Sequence, residues 1–168
     1  MKLDSLEDVL VHQLNDLYSA EDQLIAALPK MAQAASNSEL KKAIEHHLEE
    51  TRDHRDRIQE IFGQLGKRRT SEECKAMRGL IAEGEEVVKT SGGSSAAKDA
   101  ALIAAAQRVE HYEIAAYGTA RTLAGELGHD EAKDMLDQTL DEESNADKLL
   151  TKIATGGMMK SGVNEKAK

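Results

Sequence analysis

The chain has 168 residues, enough for one domain with a substantial core, and its single proline, lack of tryptophan and few aromatic residues favour helices over strands. The net charge of −9 argues against a nucleic-acid partner, which would require a basic surface, and the single cysteine excludes an intramolecular disulfide. The sequence shows neither a signal-peptide core nor an apolar run near the roughly 18 residues that span a bilayer, so we expect a cytoplasmic protein without a membrane partner.

The first predicted helix covers about residues 4–35. Its inward positions recur every three or four residues, which is the pattern of a helix with one buried face. Every inward position is apolar except Glu21. Asp4 with Glu7 resembles a capping box at the start of this helix. The sequence therefore predicts an acid in the middle of an otherwise apolar face.

The second predicted helix covers about residues 38–64 and follows a turn at Ser36-Asn37-Ser38. Ser36 with Glu39 is the predicted cap at its start. Three of its inward positions are polar: His47, Thr51 and His54. Glu50 lies on the same ridge, because residues three and four apart share a helix face.

The connection over residues 66–98 is about thirty residues long, whereas neighbouring helices of a bundle are usually joined by roughly 2–8 residues. It carries a shorter predicted helix at about 71–90, capped by Thr70 with Glu73. A connection of this length is what a crossover along a four-helix bundle requires.

The third long predicted helix covers about residues 96–127 and ends at Gly128, a residue type typical of helix C-termini. Its inward face consists of small and apolar residues, interrupted by Glu110 and Glu113. This helix therefore also carries acids towards the predicted core.

The fourth long predicted helix covers about residues 130–155, with Glu143 in the middle of its inward face and Asp147 one turn later. Residues 156–168 are predicted to be a flexible tail with little core potential. The predicted fold is all-α: residues 1–155 form a four-helix bundle of two antiparallel hairpins, joined by the long crossover with its extra helix.

The interrupting acids are predicted to share one buried layer. Folding the first hairpin about Ser36 brings Glu21 level with Glu50, and folding the second about Gly128 does the same for Glu113 and Glu143. A single glutamate on such a face is commonly a rim residue that reaches water, but interruptions of all four faces at matching heights are improbable by chance. Clustered carboxylates repel one another unless they are protonated or bind cations. We interpret the layer as a dinuclear metal site.

Carboxylate and imidazole donors select iron or manganese over copper or a thiolate zinc site. The predicted ligands are Glu21, Glu50, His54, Glu110, Glu113, Glu143 and Asp147. The predicted neighbours that support these ligands are Tyr18, His47, Thr51 and Tyr117. His47 is also considered as a ligand, although a lone inward histidine is more often a hydrogen-bonded core residue.

Three stretches of the chain, 17–24, 47–51 and 99–114, resemble the YciE/YciF-type family of bacterial stress proteins, and the resemblance extends over about residues 3–153. The Glu-His-Tyr-Glu run at 110–113 is its most specific part. The resemblance implies a ferritin-like bundle with rubrerythrin-like di-iron helices, a homodimer, and an activity assigned as ferroxidase by analogy.

The resemblance also implies which residues hold the metals. The ferritin-like carboxylate positions fall on Glu21, Glu50, Glu110, Glu113 and Glu143. The second histidine of rubrerythrins falls near Ala146 and Asp147, so that ligand is absent or replaced by Asp147. The chain also lacks a rubredoxin-type Cys-x-x-Cys module, which weakens any transfer of peroxidase activity.

The predicted function is oxidation of Fe(II) by O2 or H2O2 at two iron ions per chain, with Glu50 and Glu143 as bridges between the ions. Metal ions and the oxidant are the expected partners. Two alternatives stay open: a manganese enzyme that removes peroxide with the same ligands, and a non-enzymatic stress or scaffold protein with a structural metal site. Because clustered acids repel one another without metal, replacing Glu143 by a neutral residue is predicted to stabilise the metal-free protein.

Overall fold

The computed structural model describes residues 3–157 and 160–168, and this part of the chain is almost entirely helical. Its helices are α1 (Leu6–Ala34), α2 (Ser38–Gln64), α3 (Lys75–Lys89), α4 (Ser95–Glu126), α5 (Asp130–Thr155) and α6 (Val163–Lys166). Two very short antiparallel strands, β1 (Gly156–Gly157) and β2 (Lys160–Ser161), pair between α5 and α6. The predicted all-α bundle with a long crossover is confirmed. Within the described ranges, no helix is both long and apolar enough to cross a membrane.

The four long helices form two pairs, α1 with α2 and α4 with α5. The pairs meet along two seams, one between α1 and α4 and the other between α2 and α5. α3, the helix of the crossover, packs on both α1 and α4 and so covers the first seam. The seam between α2 and α5 is left facing outward.

The helix starts differ from the predicted caps by one to four residues. α1 is capped by Ser5, whose hydroxyl accepts from the Asp8 amide at 3.1 Å while the Asp8 carboxylate accepts from the Ser5 amide at 3.0 Å. α2 is capped by Asn37, and α3 by the sulfur of Cys74 instead of by Thr70. The predicted caps were wrong by one residue in α1 and α2, where neighbouring Asp, Ser and Asn residues are all suitable caps. In α3 the cap is a residue type that is not among the preferred caps, so the sequence carries no signal for it.

One buried acid lies away from the bundle centre and is fully accounted for by hydrogen bonds. Asp99 of α4 is buried, and its two carboxylate oxygens accept from the backbone amides of Ser36 and Asn37, both at 2.8 Å. It thereby fixes the turn of the first hairpin to the second hairpin. The C-terminus of α4 is closed as predicted by Gly128, which adopts φ +74° so that the His129 amide bonds the Ala124 carbonyl at 2.9 Å.

The apolar core is divided into two clusters along the bundle. One includes Leu24, Leu28, Leu40, Ile44, Leu102, Ile103, Leu150 and Ile153. The other includes Leu10, Leu14, Leu17, Ile58, Ile61, Phe62, Tyr117, Ala120 and Leu136. The predicted acidic layer occupies the level between them, so hydrocarbon closes the layer at both ends of the bundle.

The segment after α5 contributes one residue to the core. Val163 of α6 is buried and belongs to the cluster that contains Ile153 and Ala154. The structure therefore differs from the interpretation that residues 156–168 add little to the core, while their predicted flexibility stays a prediction. Residues 158–159 of that tail, and residues 1–2 of the predicted domain, lie outside the described residues.

Candidate metal centre

The layer between the two apolar clusters consists mainly of ionisable side chains. Its buried members are Glu21 of α1, His47 and His54 of α2, Glu110 and Glu113 of α4, and Glu143 of α5. Among the described residues, nine buried side-chain nitrogen and oxygen atoms have no hydrogen-bond partner, and all nine belong to these six residues. A buried polar atom without a partner is costly, so such a concentration at one level indicates a site that a cation would complete.

The six residues fall into two groups that share one carboxylate. Glu21, His54 and Glu143 form one group, whereas His47, Glu110, Glu113 and Glu143 form the other. Within each group, one ligand atom from each residue lies within 4.8 Å of the others. Glu143 has two oxygens and belongs to both groups, which is the arrangement of a carboxylate that bridges two metal ions.

The first group is held by contacts among α1, α2, α4 and α5. His54 Nδ1 lies 3.0 Å from Glu143 Oε1 and 3.8 Å from Glu21 Oε1. The buried Tyr117 hydroxyl donates a short hydrogen bond to Glu21 Oε1, which leaves Glu21 Oε2 without a partner. Burial, followed by the nearby Glu21 charge, raises the pKa of Tyr117, so its hydroxyl remains a donor.

The second group surrounds His47. Its Nε2 lies 3.6 Å from Glu110 Oε1 and 3.7 Å from Glu143 Oε2, and neither ring nitrogen makes a hydrogen bond. Glu113 is fully buried, and neither of its oxygens accepts a hydrogen bond. The imidazole thus lies at ion-pair distance from two of the three carboxylates without a hydrogen bond to either.

Burial is the main cause of the raised pKa values of three acids. It raises the pKa of Glu21 from 4.5 to about 7, with His54 opposing and Glu143 adding to the shift. It also raises the pKa values of Glu110 and Glu113 well above the usual value, and the charge of His47 opposes the shift at Glu110. These acids are easily protonated without metal, and a bound cation would replace those protons.

The pKa values of the other three groups shift in the direction that favours their charged forms. Burial lowers the pKa of His47, but Glu110 and Glu143 outweigh burial and raise it to about 10. Burial likewise opposes the charged form of His54, while Glu143 raises its pKa overall. Burial pushes the pKa of Glu143 upward, yet His47 and His54 hold it below the usual value. Glu143 is therefore the acid of the layer whose ionised form is favoured, and the two histidines beside it are the cause.

A further pair of residues positions His54 and was missed by the sequence analysis. His54 Nε2 lies 3.0 Å from Glu142 Oε2, across the seam between α2 and α5. The Glu142 carboxylate is held by Arg57, through a short contact and a second one of 3.1 Å, and by Gln138 at 3.0 Å. With Nε2–H donated to Glu142, Nδ1 is the ring nitrogen directed at Glu21 and Glu143 and free to bind metal.

Replacing Glu142 by Ala is expected to lower the affinity of the site for a divalent cation by about 10–100-fold, as for other carboxylates that orient a ligating histidine. The Gln variant should retain most of the affinity, because its amide oxygen can still accept from Nε2–H. Asp141→Ala, an exposed acid on the same helix, is the matched control. Anaerobic Co(II) titration measures all three, and equal losses for Glu142→Ala and Asp141→Ala would contradict the positioning role.

Two of the predicted ligands lie at the rim of the layer instead of inside it. The Glu50 side chain is 24% exposed and contacts His46 Nε2 at 3.4 Å and His47 Nδ1 at 3.6 Å. The Asp147 side chain is 22% exposed and contacts Gln107 at 3.0 Å and His111 at 3.3 Å. Neither belongs to the two groups, whereas His47 does, so ligation by Glu50 and Asp147 stays a prediction.

The predicted supporting residues are also divided. Tyr117 contacts Glu21 as described above. Tyr18 contacts Arg69, whose guanidinium lies 3.7 Å over its ring, and its role beside the ligands stays a prediction. Thr51 is buried, but its hydroxyl donates to the His47 carbonyl of its own helix at 2.7 Å. The latter contact fixes the α2 backbone beside His47 and does not involve a ligand atom.

Comparison with known proteins identifies close relatives along the whole chain. Residues 5–167 match the model of a protein family described as a domain of unknown function, DUF892. Protein YciF of Escherichia coli K12 is 45% identical over 166 residues, which is 98% of this chain and 99% of YciF.

Solved structures show the same fold. The crystal structure of the E. coli stress protein YciF superimposes with a TM-score of 0.85 at 47% identity, covering 89% of this chain and 94% of that one. YcfI of Rhodopseudomonas palustris gives a TM-score of 0.85 at 41% identity, with 92% and 99% covered. A protein of Xanthomonas campestris at 21% identity shares the fold alone, with a TM-score of 0.70 and 88% and 89% covered.

Proposed function

We propose that this chain, which belongs to the DUF892 family together with E. coli YciF, binds two iron ions in its buried layer and oxidises Fe(II) with O2 or H2O2. The observation that carries the proposal is the concentration of unpartnered atoms at one level of the core. Nine buried donor atoms on six residues, divided into two groups around Glu143, fit a pair of cations and leave each group with imidazole and carboxylate ligands.

The chemistry of the donors selects the class of metal. The layer offers carboxylate oxygens and imidazole nitrogens, and the only described cysteine, Cys74, lies outside it as the cap of α3. Hard oxygen donors with few imidazoles suit iron and manganese, whereas copper and structural zinc sites favour softer or more nitrogen-rich sets. Iron is proposed over manganese because the resemblance to ferritin-like proteins implies it.

The protein's own groups would control the geometry and the protons of the reaction. Glu143 would hold both ions, while Glu21 with His54 and Glu110 with His47 would each complete one side. Bound iron would supply one electron per ion to the oxidant. Tyr117 keeps Glu21 oriented through its hydrogen bond, and the apolar clusters on either side limit access of water. The acids with raised pKa values would release protons as the ions bind.

The test is anaerobic titration of the metal-free protein with Fe(II), followed by stopped-flow mixing with O2 or H2O2. We expect saturable binding of about two Fe(II) per chain, and Fe(II) consumption faster than in buffer. Metal content after purification without added metal distinguishes iron from a manganese enzyme that removes peroxide. Binding only in the millimolar range would contradict the proposal, and saturable binding without Fe(II) consumption would favour a structural or scaffold role.

The Glu110→Ala variant is expected to lose at least one of the two ions, because Glu110 is buried and belongs to one ligand group. Glu49→Ala is the control: it removes an acid from the exposed side of α2, where Glu49 pairs with Arg52. The Fe(II) stoichiometry of both variants is measured by the same titration. Equal losses would show that the buried layer is not the binding site.

The biological role, location and oligomeric state of the protein are proposed from its resemblance to known proteins. The relative YciF is described as a stress protein, and a role in the stress response is proposed for this chain on that basis. Cytoplasmic location and a homodimer stay predictions. Size-exclusion chromatography with light scattering would measure the oligomeric state directly.

A further inference from the structure

The outward-facing seam between α2 and α5 contains a cavity of about 140 Å³ that reaches the metal centre. Its inner wall includes His47 and Glu110, which belong to the second ligand group. Its outer part is lined by His46, Glu50 and Asn145. The cavity therefore connects the surface of the bundle to one side of the buried layer.

His47 lies between the outer and the inner part of this cavity. Its ring is only 5% exposed, and both nitrogens lack hydrogen-bond partners. Nδ1 faces the Glu50 carboxylate at 3.6 Å, whereas Nε2 faces Glu110 at 3.6 Å. The Glu50 carboxylate in turn lies 3.4 Å from Nε2 of His46, whose side chain is 69% exposed. Nitrogen and oxygen atoms that can bind a metal ion thus follow one another at 3.4–3.6 Å from the exposed His46 to Glu110 in the buried layer.

In the described part of the chain, the cavity at the opposite seam is smaller and mostly apolar. Beneath α3 there is a crevice of about 40 Å³, lined by apolar side chains of α1, α3 and α4 up to Glu110. The ion pair of Lys30 with Glu85, at 3.0 Å, lies at its rim. A hydrated cation would have to shed its water among hydrocarbon there, at a high cost in free energy.

A larger groove of about 600 Å³ borders the first cavity and shares His46, Ala43 and Leu149 with it. Its other lining groups include Lys42, Lys152 and Lys166 against the single acid Glu39. The lysines repel a cation from this part of the surface. Glu50 is therefore the negatively charged group that a cation meets at the outer part of the cavity.

We infer that His46 and Glu50 form a capture site for divalent cations, from which each ion passes along the cavity by way of His47 into the buried centre. This inference rests on the proposed function, since it assumes that the centre binds metal. It assigns Glu50 to uptake instead of to permanent ligation. Metal exchange should then depend on two residues outside both ligand groups.

The kinetics of binding separate a capture site from a ligand. A group on the sole path affects uptake and release by the same factor, because both directions pass the same barrier, and leaves the equilibrium affinity unchanged. A permanent ligand affects mainly the release rate and the affinity. The distinction can be measured without any turnover.

The experiment mixes metal-free protein with Co(II) anaerobically and follows the ligand-field absorbance by stopped flow, with release measured by adding a chelator. Glu50→Gln is expected to slow uptake and release by about tenfold, at the lower end of charge-focusing effects. His46→Ala should also slow both uptake and release, but by a smaller factor. Ala146→Leu, which narrows the cavity, should also slow both rates without removing a donor atom.

His111→Ala is the matched control. His111 is 68% exposed and lies 3.3 Å from the carboxylate of Asp147, so it resembles His46 in exposure and in its carboxylate contact, but it does not line the cavity. Its removal should leave both rates unchanged. Slowing by His111→Ala to the same extent, or a weaker affinity of Glu50→Gln with normal uptake, would overturn the inference while leaving the proposed function intact. A wild-type protein that binds no Co(II) would overturn both.

Discussion

Replacing Glu143 by Gln is expected to remove both metal ions and also to destabilise the metal-free protein. Glu143 belongs to both ligand groups, so its loss removes a ligand from each ion. Its carboxylate is fully buried between two histidines, with His54 Nδ1 at 3.0 Å and His47 Nε2 at 3.7 Å. The Gln variant leaves the two histidines without the carboxylate that favours their charged forms.

The expected loss of stability is roughly 1–3 kcal/mol, below the 3–5 kcal/mol typical of a broken buried ion pair, because the histidines can lose their protons. For a chain of this length the melting temperature should fall by several degrees. Thermal unfolding at neutral pH with a chelator measures this effect, and Co(II) titration measures the loss of binding. Asp141→Asn, on the exposed side of α5, should change neither.

A metal-free Glu143→Gln variant that melts higher than the wild type would show that repulsion among the acids outweighs the two histidine contacts. That outcome is the one expected from the sequence, which gives the number of acids in the layer but not the histidine contacts of Glu143. The pKa of Glu143, held low by the histidines, favours the opposite sign. The two expectations thus differ in the sign of the change in melting temperature.

The fold and the level of the buried layer follow from the sequence because both depend on periodicity and length. Apolar spacing of three and four gives the helices, and equal distances from Ser36 and Gly128 bring the acids level. Neither calculation requires knowledge of how a helix is rotated within the bundle. Glu21, Glu110, Glu113 and Glu143 accordingly lie together in the structure.

Which residues of a helix face the centre depends on how the helix is rotated about its axis. The sequence does not determine this rotation. Glu50 and His47 are three residues apart on one ridge of α2, and a small rotation decides which of them faces the centre. The structure turns His47 inward and leaves Glu50 at the seam. The contact of His54 with Glu142 is even harder to predict from the sequence. It joins residues 88 positions apart and depends on the rotation of two helices.

Glu113 is the acid whose replacement is expected to stabilise the metal-free protein. It is fully buried, neither oxygen accepts a hydrogen bond, and burial followed by the charges of Glu143 and Glu21 raises its pKa well above the usual value. Unlike Glu143, it has no histidine among the causes of its shift. The Gln variant keeps its shape and can donate an amide hydrogen bond to a neighbouring carboxylate.

The expected gain depends on pH, and its sign follows from the direction of the pKa shift. A carboxyl whose folded pKa lies above its unfolded value binds its proton more tightly in the folded state. Its favourable contribution is fully present below the unfolded value near 4.5 and is lost as pH rises through the folded pKa. The wild type should therefore lose stability relative to Glu113→Gln as pH rises from about 5 to about 8. At about pH 8 the variant should be more stable by roughly 1–3 kcal/mol.

Chemical denaturation of both metal-free proteins at several pH values measures this difference, and both retain His47 and His54, so the titration of the histidines cancels. Glu126→Gln, an exposed acid on the same helix, should show no such gain. A constant difference across the pH range would mean that Glu113 is not protonated in the folded protein. Added Co(II) should reverse the order, because wild type with intact ligands gains stability from the bound ions, by about 2.7 kcal/mol at one hundred times the dissociation constant. A residue that weakens the empty protein and strengthens the loaded one is retained for binding, since packing alone would favour its replacement.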